Sequence, residues 1–400
     1  MEKTIHMQIK NNSHSIEHIL GPISYISWLM GFGAAHPRKF PKVVTIIIRV
    51  FHLAVCIRSM MYTIDKGSDG IMSIYTFKKF HNIVKFVDRM HSVITYALRY
   101  YYIYYGISQC DKWLELMSRL EKLDQKIRME ISMDDKPIKN VQMIAIVATL
   151  ACSFMIPTMD VLYYDRIYSK FFVTYYLRAQ ELFNSFVFNI IVYVLYCRIQ
   201  SINKSIGQLD KLSDYVPWIA FKIRRIRGLH NSICDLVTKV NDIYGVYLFL
   251  CSTKCFIAAV TAIFFSYIGL VENNYYMIMR EEIDWILYVT QFGLMCRICT
   301  LANEEFQRTG TLIYGFVLNS KYLNKDCVRN EVNDFSIQLQ LYRVSFKACN
   351  FFEINNALFS CFVGIIISNL MLFIQFYEIP LNLPIHVYDP KKQSSSCCKC

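Results

Sequence analysis

The apolar positions of this chain gather into long runs, separated by polar connectors that are themselves patterned. Seven runs suit a membrane-crossing helix: 43–62, 82–106, 141–163, 171–197, 245–270, 285–301 and 351–376. At about 1.5 Å per residue, helices of this order cross a hydrocarbon core of roughly 30 Å. An eighth apolar piece, 18–35, is broken by Gly and Pro, so it is expected to be an interfacial helix or re-entrant segment, with an extra span as the alternative. In the connectors 107–140, 198–244 and 302–350, apolar residues return at helical spacing, as in Trp113, Leu114, Met117, Leu120 and Leu123. These connectors are therefore predicted to prolong the spans into a helical region beyond the membrane. No internal repeat is visible, and only the Ser- and Cys-rich tail, SSSCCKC, is of low complexity.

The last run, FFEINNALFSCFVGIIISNLMLFIQF, is the most asymmetric. Wound as one helix of about 39 Å, it places Glu353, Asn356, Ser360, Gly364, Ser368 and Gln375 within an arc of about 120°, with Leu372 at its margin. Leu358, Phe359, Phe362, Ile365, Ile366, Phe373 and Phe376 lie opposite, with Asn355 and Asn369 as polar exceptions. The greasy side is expected to face lipid. The small, polar side suits either a closely packed neighbouring helix or water in a pore.

Composition supports a polytopic membrane protein. Of 400 residues 54% are hydrophobic, 15% aromatic and 18% charged, against about 25% charged in an ordinary soluble chain. The formal net charge of +12 could suggest nucleic acid, but the distribution of the charges says otherwise. The N-terminal 42 residues and the three long connectors hold 26 Lys and Arg, against 9 on the opposite side. That bias predicts a cytoplasmic N-terminus and an extracellular C-terminus. Fifteen cysteines and nine histidines show no metal-ligand spacing. There is no phosphate loop, nucleophile elbow or cleavable signal peptide, so no enzyme, metal or cofactor is expected.

Charges inside spans are costly and mark functional candidates. Arg178 and Glu181 lie one turn apart in the outer fourth span, either as an intrahelical ion pair or as ligand contacts. Lys254, in the fifth, is functional, snorkelling or a sign that the span boundary lies elsewhere, and Arg49 and Arg58 near the ends of the first span can snorkel. Trp285, Tyr288 and Gln291 in the sixth span, with Phe264 and Tyr267 in the fifth, could line an aromatic pocket. The Tyr-rich run 100–105 reads as an interfacial belt. Asp165-Arg166-Ile167-Tyr168 suggests a G-protein-coupled receptor, but the charge bias puts it on the outer side, and the seventh span lacks Asn-Pro-x-x-Tyr. Cys397-Cys398-Lys399-Cys400 looks like a prenylation signal on the wrong side of the membrane, and the sequons at Asn11 and Asn203 lie on the cytoplasmic side.

Ser368-Asn369-Leu370-Met371-Leu372-Phe373-Ile374-Gln375-Phe376 resembles the signature of insect gustatory receptors: Thr-Tyr, five hydrophobic residues, Gln-Phe. Ser368 replaces Thr conservatively, and Asn369 departs from Tyr. The preceding stretch, Glu331 to Phe352, is similar to the family's approach to this span, with Phe335, Leu339, Phe346 and Phe352 at its apolar positions. The resemblance implies an all-α protein of seven transmembrane helices that acts as a ligand-gated, non-selective cation channel, a tetramer of like or mixed receptor subunits. It implies a small-molecule tastant, a lipid environment and the plasma membrane of sensory neurons. Gln375 would form the pore constriction with Leu372 one turn before it, and Glu353 would sit at the cytoplasmic mouth. Five regions are expected: a cytoplasmic segment 1–42, a ligand-binding bundle 43–301, an anchor region 302–350, a pore helix 351–376 and an extracellular tail 377–400. A G-protein-coupled receptor and an accessory channel subunit are the alternatives.

Overall fold

A computed structural model describes residues 16–31, 37, 40–66, 81–108, 110–131, 133, 135–164, 169–209, 216–271 and 275–378. The Asp165–Tyr168 tetrapeptide, the Asn11 sequon, the cysteine-rich tail and most of region 1–42 beyond its first helix fall outside these residues. The described chain is helical almost throughout. Its elements are α1 (Ile16–Leu29), α2 (Lys42–Lys66), α3 (His81–Ser108), α4 (Cys110–Glu130), α5 (Lys136–Tyr164), α6 (Ser169–Ile206), α7 (Val216–Val271), α8 (Tyr275–Asn319), α9 (Asp326–Leu341) and α10 (Asn356–Glu378). A 3-10 turn, Lys321–Asn324, precedes α9, and two short strands, β1 (Lys347–Ala348) and β2 (Phe352–Glu353), precede α10.

By length and composition, four stretches of the described residues can cross a membrane: Lys42–Met61, Tyr175–Ile206, Val216–Tyr267 and Trp285–Asn319. α3, α5 and α10 bring the long helices to seven. α6, α7 and α8 run well past their expected limits, as the patterned connectors predicted; α7 is a single helix of 56 residues, about 84 Å long. It is the spine of the fold, packing against α3, α4, α6, α8, α9, α10 and β1. Trp113, Met117, Leu120 and Leu123 of α4 are buried against the common core, which explains why a connector carries that pattern.

Beyond the expected spans, charged side chains hold the helices together. Arg198 of α6, almost wholly buried, meets Asp124 of α4 at 2.6 Å and Asp135 at 3.1 Å, and Arg128 reaches the same two carboxylates. Asn203 of α6 donates to Oε1 of Glu305 on α8 at 2.9 Å and accepts from Thr309 at 2.7 Å. Buried charges persist only when paired and hydrogen-bonded in this way.

Three expectations need correction. Residues 351–353 do not start the last helix. The Phe351 amide donates to the Ala348 carbonyl at 2.9 Å, across a turn in which Cys349 and Asn350 take positive φ values of 50° and 61°. This places Lys347 opposite Glu353, so Glu353 lies on a strand and not on the helical arc. The helix begins where the Asn355 side chain accepts the Leu358 amide at 2.9 Å, as an N-cap does; a run of phenylalanines hides this boundary from a hydropathy pattern. Second, Arg49 is buried, with none of its surface in solvent, and does not snorkel. Third, α1 is not a peripheral piece: Ile16, Ile19, Leu20 and Ile23 join the core, and the Trp28 indole donates to Thr45 at 2.9 Å.

Candidate functional site

Two places gather the polar side chains that the sequence singles out. The first is a small cavity between α6 and α8, of about 10 Å³ to a water-sized sphere, lined by Arg178, Glu181, Leu182, Leu287, Tyr288 and Gln291. Four of the six ligand-binding candidates therefore share one wall. Tyr267 and Trp285 are not among the lining residues, and the Trp285 indole bonds Glu282 one turn away. As it stands the cavity holds little more than one water and is far below the usual range of ligand pockets, which starts at about 300 Å³.

Glu181 is the electrostatic centre of this place. It does not pair within its own helix as the spacing suggested. One carboxylate oxygen meets Arg99 Nε of α3 at 3.3 Å, and the other takes the ammonium of Lys254 of α7. Lys254 also lies over the Tyr288 ring, 5.4 Å from its centroid. It is thus paired within the protein and does not snorkel. A single carboxylate on α6 ties together α3 and α7 and borders the cavity. Arg99 is not among the residues singled out from the apolar runs. Its signal was present: a charge in mid-span, at i+8 and i+4 from the polar residues His91 and Thr95 on one face of α3.

The second place is α10. Phe362 and Ile366 are buried, and the Phe362 ring packs against Phe292 of α8 at 4.6 Å and Phe256 of α7 at 5.8 Å. Among the described residues, Leu358, Phe359, Phe362 and Ile366 of the greasy side face the protein, where α7 and α8 offer aromatic partners, while Ile365 stays exposed; for those four the expectation of lipid is corrected. Ser360, Gly364, Ser368, Leu372 and Gln375 are exposed, and Asn356 is half-buried. A side chain at Gly364 would meet nothing within 4 Å. The small residues therefore do not serve close packing within the chain. Ser360 and Ser368 donate back to the carbonyls of Asn356 and Gly364, at 3.1 and 2.9 Å. Their donors are satisfied by the helix itself, while oxygen lone pairs stay available. The start of α10 is anchored to α8, where Thr300 Oγ1 accepts the Asn356 amide at 2.8 Å.

The described fold and these two places belong to a multi-pass chemosensory receptor. Residues 20–379 match the family described as 7tm Chemosensory receptor, and the chain belongs to that family. Among solved structures, it is similar to the insect olfactory receptor OR5 from Machilis hrabei in complex with eugenol, at 14% identity and a TM-score of 0.61, covering 91% of this chain and 99% of that one. The structure of the same receptor described without eugenol matches at 12% identity and a TM-score of 0.57, covering 93% and 99%. This likeness shows the seven-helix fold. None of the curated proteins compared with the chain matches it in sequence.

Proposed function

We propose that this receptor is a gustatory ligand-gated cation channel of the plasma membrane of sensory neurons, assembled as a tetramer with α10 of each subunit around a central pore. The observation that carries the proposal is the split of α10, with Phe362 and Ile366 against its own bundle and the arc Ser360, Gly364, Ser368, Leu372 and Gln375 left uncovered. A ring of Gln375 amides supplies carbonyl oxygens that replace part of a cation's hydration shell. Gustatory character rests on the Ser368–Phe376 motif, and a small tastant would enter the cavity beside Glu181. Glu353, paired in register with Lys347, would stand just before the helix at the cytoplasmic mouth.

Gln375→Arg is expected to suppress agonist-evoked cation current while surface expression stays normal, because it brings positive charge to the constriction. Gln375→Ala should change selectivity or block but not agonist potency. Normal current through Gln375→Arg channels removes α10 from the pore.

A further inference from the structure

We propose that the polar cluster around Glu181, which borders the α6–α8 cavity, is a carboxylate site, so that the receptor's ligand is a small organic acid with an apolar tail. This deepens the ligand-binding part of the function above and rests on it. The observation is the state of Arg99. It is buried, with 6% of its surface exposed, and meets Glu181 through Nε alone, at 3.3 Å, with the Tyr96 ring at 5.3 Å from its Cζ. Among the described residues no hydrogen bond engages its two terminal nitrogens. The matched acceptor of a guanidinium with its terminal nitrogens open is a carboxylate held bidentately.

The surroundings complete such a site. Thr95, one turn before Arg99 on the same face of α3, is buried with its hydroxyl unpartnered among the described residues. His91, one turn further, has a sealed and unpartnered Nε2 and lies in the combined field of Lys254, Arg178 and Arg99. On α6, Ser185 follows Glu181 by one turn with its hydroxyl also unpartnered. Buried polar groups of this kind are normally satisfied, so a cluster of them marks what is meant to be filled. Glu181 does not repel an incoming acid strongly, because its own oxygens are already held by Arg99 and Lys254. A carboxylate joining them lets the two cations share two anions. Leu182, Leu287 and the Tyr288 ring, which line the small cavity beside Glu181, part to receive the alkyl or aryl tail.

The test uses the purified full chain in detergent micelles at neutral pH and fixed chloride, read by thermal unfolding. Butyrate and hexanoate are expected to raise the melting temperature, whereas butyramide and hexanamide, alike in shape but uncharged, are not. Arg99→Gln should weaken the apparent affinity for the acids about tenfold or more, the worth of a charge-assisted bond. If that variant fails to fold, Arg99→Lys, which keeps the charge but not the fork, and Thr95→Val, which removes one hydroxyl, should each weaken binding a few-fold. Equal protection by acids and amides overturns the proposal, as does equal protection by chloride raised alone, or unchanged affinity in these variants. Channel function is read separately: acid binding without current in expressing cells defeats the pore assignment and leaves this site standing. Current evoked only by neutral tastants, with no acid binding, does the reverse.

Discussion

At the residue scale, the intramembrane charges show what spacing along a chain reveals and what it conceals. Arg178, Glu181, Tyr288 and Gln291 could be named because a polar side chain inside an apolar run stands out by itself, and they do share a cavity. The pairing of Glu181 could not be read, since Arg99 and Lys254 come from other helices, 82 and 73 residues away in sequence. Outside the expected spans, His230 of α7 poses a similar problem. It packs on Phe306 and Phe335, with the Gln338 amide at 3.5 Å and the Cys234 thiol at 3.6 Å. Burial pushes its pKa down from 6.5 to about 4. The unfolded chain therefore binds the proton more readily, so His230 favours the folded state above pH 6.5 and loses that contribution as pH falls toward 4. At pH 5.5 the loss is about 1 kcal/mol. Thermal unfolding of the wild type should shift downward from pH 7.5 to pH 5.5 by more than that of His230→Gln; equal shifts would assign the effect to other groups.

Individual elements were legible to the extent that one period governed them. Six of the seven long helices lie where apolar runs predict them, because each run is long enough to outweigh a breaker such as Pro157 in α5. The junction before α10 was illegible for a physical reason. Phe351 and Phe352 continue the hydropathy of the span, and the turn is made by Cys349 and Asn350, not by glycine. That hairpin is held from outside: Asn241 of α7 donates to the Ser345 carbonyl at 2.8 Å and accepts the Lys347 amide at 3.1 Å. One turn further along, Gly245 lets the hairpin approach, since a Cβ there would lie 3.3 Å from the Cys349 amide nitrogen. Gly245→Val is therefore expected to displace the hairpin and lower folded yield and melting temperature, by roughly 1–3 kcal/mol as overpacking does. Gly245→Ala should cost much less. Equal stability of the valine variant, measured on monodisperse protein, would show that the contact is slack.

At the scale of the whole molecule, the orientation expected from 26 against 9 basic residues remains to be tested at the ends of the chain. Tags on intact cells should find the N-terminus hidden and the C-terminus accessible, and an accessible N-terminus would reverse every assignment of inside and outside made above. The unbroken length of α7 has a mechanical consequence. Near its start, Lys222 and Arg225 grip Glu130 of α4, while Arg224 and Arg227 grip Glu331 of α9. Between that clamp and Lys254 the helix is unbroken, so a rigid tilt about the clamp would scale along it as a lever does. Lys254 stands about 40 Å from Arg227 along the helix and Asn241 about 21 Å. A swing of the rod by 2 Å beside the cavity thus arrives as about 1 Å at the hairpin that holds α10. In the function proposed above, such an arm would be geared down, pushing the last helix a short way for a larger motion beside the cavity.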